Sequence, residues 1–234
     1  MFTKSAGLYD IIYASADAAG TCEQLHALIR QRKRSPGRAL LDVACGTGSH
    51  IHWLRQHYDV EGLDLDGNML DIARAKEAGI TFHQADMVDF DLARRFHVIT
   101  CLGSAIGAVK TLPRLEQTLQ TMRRHLQPGG VVIVEPWLSP EVYREGNVHA
   151  LFVDRPELKI ARMSVSRMED GVSVLDFHYM VATPEGVQYF TERIELGLFS
   201  HEDYLQAFRA AGLEVEYDRQ GPTSRGLYVG VLNG

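Results

Sequence analysis

The chain has 234 residues, a length that predicts one domain with an elaboration rather than two independent domains. Hydrophobic residues make up 45% of the sequence and charged residues 23%, which is typical of a soluble globular protein and argues against a disordered one. The formal net charge of -6 argues against a nucleic-acid partner, because neutralising phosphates requires a clustered basic surface.

The sequence contains no stretch approaching the roughly 20 uninterrupted apolar residues that span a bilayer. The N-terminal decapeptide also lacks the apolar core of a signal peptide, so we expect a cytoplasmic protein with no membrane partner. Cys22, Cys45 and Cys101 are dispersed and show neither zinc-site spacing nor a disulfide framework. The histidines have no carboxylate partners at ligand spacing, and we therefore expect no metal.

Residues 1–37 predict an N-terminal helical cap, whose long helix would lie across the open ends of the strands that follow. From residue 38 to 137, short apolar runs alternate with amphipathic segments, the pattern of strand and helix units that build a parallel sheet. The predicted strands are 38–44, 59–65, 80–85, 97–102 and 130–137, and the predicted helices lie near 48–57, 67–77 and 112–126. Right-handed crossovers then favour an open, doubly wound sheet.

The pattern changes after Trp137. Three long runs rich in β-branched and aromatic residues occupy 158–199, and the turn signals EDG and PEG separate them. We therefore predict an antiparallel β insertion over 138–199. Residues 200–234 return to the main domain, with a helix that Ser200 caps and Gly212 ends, followed by a closing pair of strands.

A glycine turn follows the first predicted strand in the stretch LLDVACGTGSH, residues 40–50. Open α/β sheets bind ligands outside the C-terminal ends of their strands, where this turn must lie. Gly46 and Gly48 allow the backbone to approach a ligand closely, and the next helix offers free N–H groups to an anion. A dinucleotide site requires a third small residue where this chain has Ile51, which disfavours NAD.

Acidic residues lie at the ends of three successive predicted strands: Asp42 closes the first, Asp64 closes the second, and Asp86 comes just past the third. Asp64 can accept hydrogen bonds from both hydroxyls of a ribose, and Asp86 can accept one from the amine of an adenine. Each acid alone is often only a turn or cap residue. Three together, with LQPGG at the expected interval, favour S-adenosylmethionine as the cofactor, with S-adenosylhomocysteine as its product.

The strings LLDVACGTGSH, GLDL, QADMVDF and GGVVIVEPW resemble those of class I methyltransferases. With FHYMVAT and GPTSRGLYVGV, the chain closely resembles the N,N-dimethyltransferases of nucleotide-linked 3-amino-deoxysugars, from about Leu40 to the C-terminus. That resemblance implies an α/β fold: a Rossmann-like, doubly wound, mostly parallel seven-stranded sheet with an antiparallel β insertion roofing the active site. The cofactor domain would comprise residues 38–137 and 200–234.

Matching motifs and the glycine turn together imply a set of cofactor-binding residues. The set is Asp42, Ala44, Gly46, Thr47, Gly48, Asp64, Leu65, Met69, Asp86, Met87 and Leu102. We expect these side chains and backbone groups to line one continuous site for the cofactor.

The resemblance also implies residues around the acceptor amine. Tyr13 and His178 are candidates both for substrate binding and for accepting a proton, with Glu135 as a third catalytic candidate. Trp137 and Arg225 are substrate-binding candidates, because a guanidinium suits a phosphate or a polar sugar. Each also has a purely structural interpretation, as core packing, strand-end hydrogen bonding or a surface ion pair.

Two departures from the family pattern concern the cofactor and the acceptor. The stretch ASADAAG lacks the basic and aromatic residues that the family has there, and SAIGAV places Ala108 where the family has histidine or tyrosine. The prediction is an N-methyltransferase that acts on a nucleotide-linked deoxysugar amine by in-line transfer. A SAM-dependent O- or C-methyltransferase of another small metabolite and a non-catalytic binding protein are the alternatives. The sequence does not fix the oligomeric state and leaves a homodimer open.

Overall fold

A computed structural model describes residues 3–14, 16–223 and 225–234 of the chain. Its larger sheet has seven strands in the order β10-β11-β5-β4-β1-β2-β3, all parallel except at β11, which runs antiparallel to β5 and to β10. These strands are β1 Ala39–Val43, β2 Asp59–Asp64, β3 Thr81–Gln84, β4 Phe96–Cys101, β5 Leu126–Val134, β10 Glu214–Asp218 and β11 Leu227–Val231. The doubly wound, mostly parallel sheet is therefore confirmed.

Helices cover both faces of this sheet. They are α1 Tyr9–Ile12, α2 Ala18–Arg32, α3 Ile51–Leu54, α4 Gly67–Lys76, α5 Leu112–Arg124 and α6 His201–Ala210, with 3-10 helices at Ala6–Leu8 and Ala105–Val109. Asp17 and Asp66 cap α2 and α4, and Ser200 forms a capping box with Asp203 at α6. These side chains accept hydrogen bonds from first-turn N–H groups, which explains why the helices begin there.

The central strands are buried on both faces, as expected for parallel strands between two helical layers. Val131 and Ile133 of β5 belong to one apolar cluster, while Val132 and Val134 belong to the other. Helix α2 contributes Ile29 and its other buried residues to the first of these clusters. It therefore packs on a face of the sheet, and the prediction that it lies across the open strand ends is wrong.

The predicted antiparallel insertion is a separate four-stranded sheet in the order β6-β7-β8-β9. Its strands are β6 Val148–Arg155, β7 Leu158–Glu169, β8 Val172–Thr183 and β9 Gly186–Gly197. Asp170 and Gly171 both have positive φ between β7 and β8, as a tight hairpin turn requires. The sequence analysis missed β6, an edge strand whose residues are mostly exposed and do not alternate between buried and exposed.

One face of the smaller sheet, the inner face, packs on the N-terminal segment. Phe177, Tyr179 and Ile194 form a cluster with Ile12 of α1. Leu196 near the end of β9 reaches the 3-10 helix after β4, where a Cβ added to Gly107 would lie 3.1 Å from its Cβ. The smaller sheet therefore lies over the C-terminal ends of the parallel strands as a roof.

Within the described ranges, no helix combines the length and the apolar character needed to cross a bilayer.

Candidate active site

A cavity of about 900 Å³ lies between the C-terminal ends of the parallel strands and the roof. This volume is near the upper end of the range for small-molecule sites, so it can accept a cofactor together with part of a second ligand. All predicted cofactor residues except Thr47 and Gly48 line it: Asp42, Ala44, Gly46, Asp64, Leu65, Met69, Asp86, Met87 and Leu102. Loops after four parallel strands supply this wall, since parallel strands end at one edge of the sheet.

The glycine turn after β1 has a left-handed backbone at three positions. Ala44 has φ 58°, Gly46 φ 54° and Gly48 φ 77°. Gly46 borders the cavity, and a Cβ added there would meet no atom within 4 Å, so its glycine is required by backbone conformation rather than by crowding. Gly48 instead packs against Ala73 of α4, and Thr47 is buried. These last two residues shape the turn without lining the cavity.

Asp64 ends β2 and ties the glycine turn to the next loop. Its Oδ2 accepts a hydrogen bond from the Gly46 N–H at 2.8 Å, and its Oδ1 accepts one from the Asp66 N–H at 2.9 Å. Burial raises the pKa of Asp64, and these two amide donors oppose that rise. Each carboxylate oxygen retains a second lone pair, so Asp64 can still accept hydrogen bonds from two ligand hydroxyls.

Asp42 is a buried carboxylate on the cavity wall, 1% exposed. Its Oδ1 accepts from the Thr100 hydroxyl at 2.7 Å, but its Oδ2 has no hydrogen-bond partner among the described residues. Burial raises its pKa. An unsatisfied buried oxygen requires a donor, and the ammonium of the methionine part of S-adenosylmethionine is such a group, so the residues present fit this cofactor.

Asp86 follows β3 and lies at the more open end of the same wall. Its Oδ1 accepts from the Val88 N–H at 2.9 Å, and its Oδ2 accepts from Arg114 at 3.1 Å. Beside it, Leu65 is 64% exposed and borders the cavity together with Met87. An exposed leucine next to an acceptor oxygen suits an aromatic base that carries an amine.

Tyr9 of α1 is a cavity residue that the sequence analysis missed. It lines the cavity together with Thr3, and burial, with smaller effects from Tyr13 and Asp10, raises the pKa of its hydroxyl. The helical spacing of Tyr9 and Tyr13 in LYDIIY was visible in the sequence, but it did not indicate which ring faces the ligand. Further lining residues that were missed are Ser49, His50, Lys110, Arg114, Arg193 and Glu195.

Tyr13 is not among the residues that line the cavity. Its hydroxyl accepts a hydrogen bond from Arg162 of β7 at 3.0 Å, and the Arg162 guanidinium lies 5.3 Å from its ring centroid. Tyr13 is half-buried against the roof cluster. In this structure it joins the N-terminal segment to the roof, and a catalytic role for it stays a prediction.

His178 faces away from the cavity, contrary to the expectation that it lies at the acceptor amine. Side chains in a strand alternate between faces, and its neighbours Phe177 and Tyr179 are buried on the inner face of the roof. His178 is therefore exposed on the opposite face, where its Nδ1 lies 2.6 Å from the Tyr189 hydroxyl. A single chain does not bring this histidine to the site.

Glu135, Trp137 and Arg225 do come together, from the loop after β5 and the segment before β11. Arg225 lies 3.3 Å from Glu135 Oε1, and its guanidinium carbon is 5.1 Å from the Trp137 ring centroid. The other Glu135 oxygen accepts from the N–H of Gly103, a cavity residue, at 2.7 Å. Trp137 donates to Ser173 of the roof. The cluster supports the cavity wall from behind Gly103.

Ala108 lines the cavity, and the ionisable side chains nearest to it in the chain and on β9 are already paired. Glu195 Oε2 accepts from Lys110 at 2.5 Å, and its Oε1 accepts from Arg193 at 2.7 Å. These two cations lower the pKa of Glu195. A carboxylate held in this way is a weak base.

No group of three or more His, Cys, Asp or Glu side chains in the described part of the chain could hold a metal ion.

Comparison with known proteins agrees with this site. A family model described as a methyltransferase domain matches residues 40–130. The chain is 40% identical over 230 residues to dTDP-3-amino-3,4,6-trideoxy-alpha-D-glucopyranose N,N-dimethyltransferase of Streptomyces venezuelae, and the match covers 97% of each protein. It is 38% identical to dTDP-4-amino-2,3,4,6-tetradeoxy-D-glucose N,N-dimethyltransferase of Saccharopolyspora spinosa, over 97% of this chain and 92% of the relative.

A solved structure shows the same fold with the cofactor bound. It is that of CalS10, an amino pentose methyltransferase from Micromonospora echinaspora in complex with SAM, at a TM-score of 0.85 and 33% identity over 96% of each chain. The Rossmann-like sheet, the roof and the cofactor that the sequence predicted are thereby confirmed. The chain belongs to the family of S-adenosylmethionine-dependent methyltransferases that includes the N,N-dimethyltransferases of dTDP-linked amino sugars.

Proposed function

We propose that this methyltransferase acts on the amino group of a nucleotide-linked deoxysugar. The observation that carries the proposal is a roofed cavity in which carboxylates at the ends of β1, β2 and β3 line one side. Near Ala108 and Ile194, the lining carboxylate is Glu195, which is already paired with Lys110 and Arg193. A neutral amine is already nucleophilic, so such a site needs position and desolvation more than a strong base.

Three carboxylates are proposed to hold the cofactor. Asp64 would accept from the ribose hydroxyls, Asp86 from the adenine amine, and Asp42 from the ammonium of the methionine part, through the oxygen that lacks a partner. Leu65 and Leu102 would enclose the base. When bound, the cofactor would supply a methyl group on a cationic sulfur. The amine nitrogen can bond to the methyl carbon in line with the sulfur, which leaves as the carbon–sulfur bond breaks.

Water is the proposed acceptor of the amine proton. The lowered pKa of Glu195 makes its carboxylate a weak base, and the raised pKa of Tyr9 keeps its hydroxyl protonated. Neither group therefore accepts a proton readily at neutral pH. Both oxygens of Glu135 already accept hydrogen bonds, and the Tyr13 hydroxyl accepts one from Arg162. The rate should therefore follow the protonation state of the acceptor amine.

The substrate class is proposed from Arg225 and from the relatives. The Arg225 side chain is 35% exposed and stacks on Trp137, an arrangement that orients a guanidinium for a diphosphate. The acceptors named for the relatives carry their amine at carbon 3 or carbon 4, at 40% and 38% identity. Nearly equal identities to both leave the position of the amine to be measured.

The test is mass spectrometry of dTDP-linked 3-amino and 4-amino deoxysugars after incubation with the enzyme and S-adenosylmethionine. We expect a gain of one or two methyl masses on at least one amine, and none on the matched hydroxyl sugars. Methylation of a hydroxyl sugar alone would contradict the proposal. That result would support the second candidate, an O-methyltransferase. Ala108 favours this candidate because it replaces the histidine or tyrosine that the family has at this position.

We also propose that the enzyme is a homodimer joined through the outer face of the roof, the face opposite α1. Strand register places Phe152, Ala161, Met180 and Tyr189 in one row across the four strands, next to a row containing Met163 and His178. Phe152, Met180 and Tyr189 are 69%, 53% and 63% exposed. In a dimer with two-fold symmetry, the same surface patch of each subunit contacts its copy. The two rows are apolar and contain no Asp, Glu, Lys or Arg, so this patch can pack against its copy without repulsion between like charges.

Light scattering after size exclusion tests the dimer. We expect about twice the chain mass of 26.2 kDa for the natural protein and a monomer for Met180→Glu. Val142→Glu is the matched control, because Val142 is 57% exposed but lies before β6, outside this face. A monomeric natural protein, or dissociation of both variants, would contradict the proposed interface.

A cytoplasmic location is proposed as well. Cys22, Cys45 and Cys101 are all free thiols, which suits a reducing compartment. Fractionation of the source cells, with the enzyme followed by antibody, would test this.

A further inference from the structure

We infer that Asp10 is a positioning residue for the cofactor, although it does not line the cavity. Its Oδ1 accepts hydrogen bonds from the Thr47 hydroxyl at 2.5 Å and from the Ser49 hydroxyl at 3.2 Å. Its Oδ2 accepts from Lys76 Nζ at 2.6 Å. One carboxylate from the N-terminal helix thus joins both hydroxyls of the glycine turn to α4. The inference rests on the proposed placement of the cofactor against that turn.

The turn needs such a contact because its backbone is unusual. Ala44, Gly46 and Gly48 all have positive φ, and for Ala44 this conformation is unfavourable. Ser49 and His50, the next residues, line the cavity beside Gly46. Turn N–H groups of this kind bind a carboxylate only when they point the same way. Fixing Thr47 and Ser49 before binding lowers the entropy lost when the ligand arrives.

Asp10 is suited to this task by its charge. Partial burial acts to raise the pKa of Asp10, but hydrogen bonds from Lys76, Thr47 and Ser49 outweigh that effect and keep the pKa below its usual value. The carboxylate therefore remains ionised and accepts all three bonds at neutral pH. Charge-assisted hydrogen bonds are shorter and stronger than neutral ones, which makes this contact an effective restraint.

The same segment is held by the roof on its other side. The Lys4 N–H donates to Glu192 Oε1 at 2.7 Å, and the Ser5 hydroxyl donates to Glu192 Oε2 at 2.5 Å. Thr3 and Tyr9, within this segment, line the cavity. Asp10 therefore positions the glycine turn relative to a segment that is itself attached to the roof, so the two walls of the cavity are aligned through it.

The test is the dissociation constant of S-adenosylhomocysteine, measured by calorimetry for Asp10→Ala, Thr47→Val and the double variant. We expect Asp10→Ala to weaken binding about tenfold, in the range for loss of hydrogen bonds to a charged group. The double variant should bind no more weakly than Asp10→Ala alone, because both changes remove the same contact. Asp10→Asn, which keeps one acceptor oxygen, should bind with an intermediate constant.

A purely structural role is distinguished by kinetics and by a control. Asp10→Ala should raise KM for S-adenosylmethionine while kcat at saturating cofactor remains unchanged. Asp17→Ala, which removes the cap of α2 in the same N-terminal region, should lower the unfolding temperature without changing the dissociation constant. An unchanged constant for Asp10→Ala, or independent additive effects of Asp10 and Thr47, would overturn the inference. If Asp64→Ala also bound normally, the placement of the cofactor itself would be wrong.

Discussion

The two walls of the cavity are built from different kinds of structure. The cofactor wall consists of loops that directly follow four neighbouring parallel strands, and it contains Asp42, Asp64 and Asp86. The proposed acceptor side combines the roof, the 3-10 helix at Ala105–Val109 and the N-terminal segment, which are far apart in the chain. Residues at the ends of neighbouring parallel strands meet at one edge by topology alone, whereas the acceptor side depends on how two sheets pack.

This difference explains which residue assignments hold. All predicted cofactor residues except Thr47 and Gly48 line the cavity, whereas none of the predicted acceptor-side residues does: Tyr13, Glu135, Trp137, His178 and Arg225. For the cofactor wall, knowing the strand ends was sufficient. For the roof, one also needs the face of each strand, and a shift of one residue exchanges the two faces. If the two walls contribute separately, changes on one wall should alter binding of the cofactor alone and changes on the other should alter binding of the acceptor alone.

Replacing Asp64 should have the largest effect, and only on the cofactor wall. Asp64→Ala removes proposed contacts to the ribose and leaves the Gly46 N–H without its acceptor. We expect S-adenosylhomocysteine to bind more weakly by about 2 kcal/mol, or roughly 30-fold, as measured by calorimetry. Asp71→Ala is the control, since Asp71 is exposed on α4 and pairs with Arg74. Equal binding by both variants would contradict the proposed ribose contact.

Removing Arg225, which lies behind Gly103 and does not line the cavity, should affect binding of the acceptor alone. Arg225→Ala should raise KM for a dTDP-amino sugar about tenfold, because the cation proposed to pair with the diphosphate is lost. The dissociation constant for the cofactor should not change. Arg219→Ala, an exposed arginine in the preceding turn, is the matched control for net charge. A KM unchanged by Arg225→Ala would remove Arg225 from the proposed substrate site.

The raised pKa of Asp64 predicts opposite effects of acid on binding and on stability. The ionised form is needed to accept from the ribose, so cofactor affinity should fall as pH decreases through the raised pKa. At pH values between the usual pKa of 3.8 and this raised pKa, the folded state retains a proton that the unfolded chain has released. Asp64 therefore reduces the free energy of unfolding at neutral pH, and this penalty should disappear on acidification.

Calorimetry and thermal unfolding from about pH 7.5 down toward the usual carboxyl pKa of 3.8 would measure both trends. Asp64→Asn should lack the contribution of Asp64 to the pH dependence of cofactor affinity and to the pH dependence of the free energy of unfolding. If the variant showed the same pH dependence of affinity as the natural enzyme, another group would be responsible.

The smallest effect is expected at His178. Because the side chain is on the outer face of the roof, His178→Gln should leave kcat within about twofold of the natural enzyme, as for most surface substitutions. Initial rates at saturating acceptor and cofactor are the measurement. A large loss of kcat in a variant that light scattering shows to be an intact dimer would indicate that the outer face of the roof takes part in catalysis. It would contradict the assignment of the reaction to the cavity alone.

The strand predictions were most accurate for buried strands with abrupt ends. Strands β1 to β4 begin and end within one residue of the predicted bounds. Strand β5 begins at Leu126, earlier than predicted, because Leu126 pairs with Phe96 before an irregularity in the register. Strand β6 has no buried face along most of its length, and only pairing with β7 makes it a strand. Helix α3 is a single turn, although its sequence predicts a longer helix.

The sequence by itself determined the parallel sheet, the glycine turn and the acids at three strand ends. These features depend on local backbone preferences and on burial patterns a few residues long, and they are sufficient to identify the cofactor. Only the tertiary structure decided that Tyr9 rather than Tyr13 reaches the cavity, that His178 faces outward, and that Asp10 holds Thr47. Each of these depends on side-chain direction across contacts between distant segments, which a linear pattern does not encode.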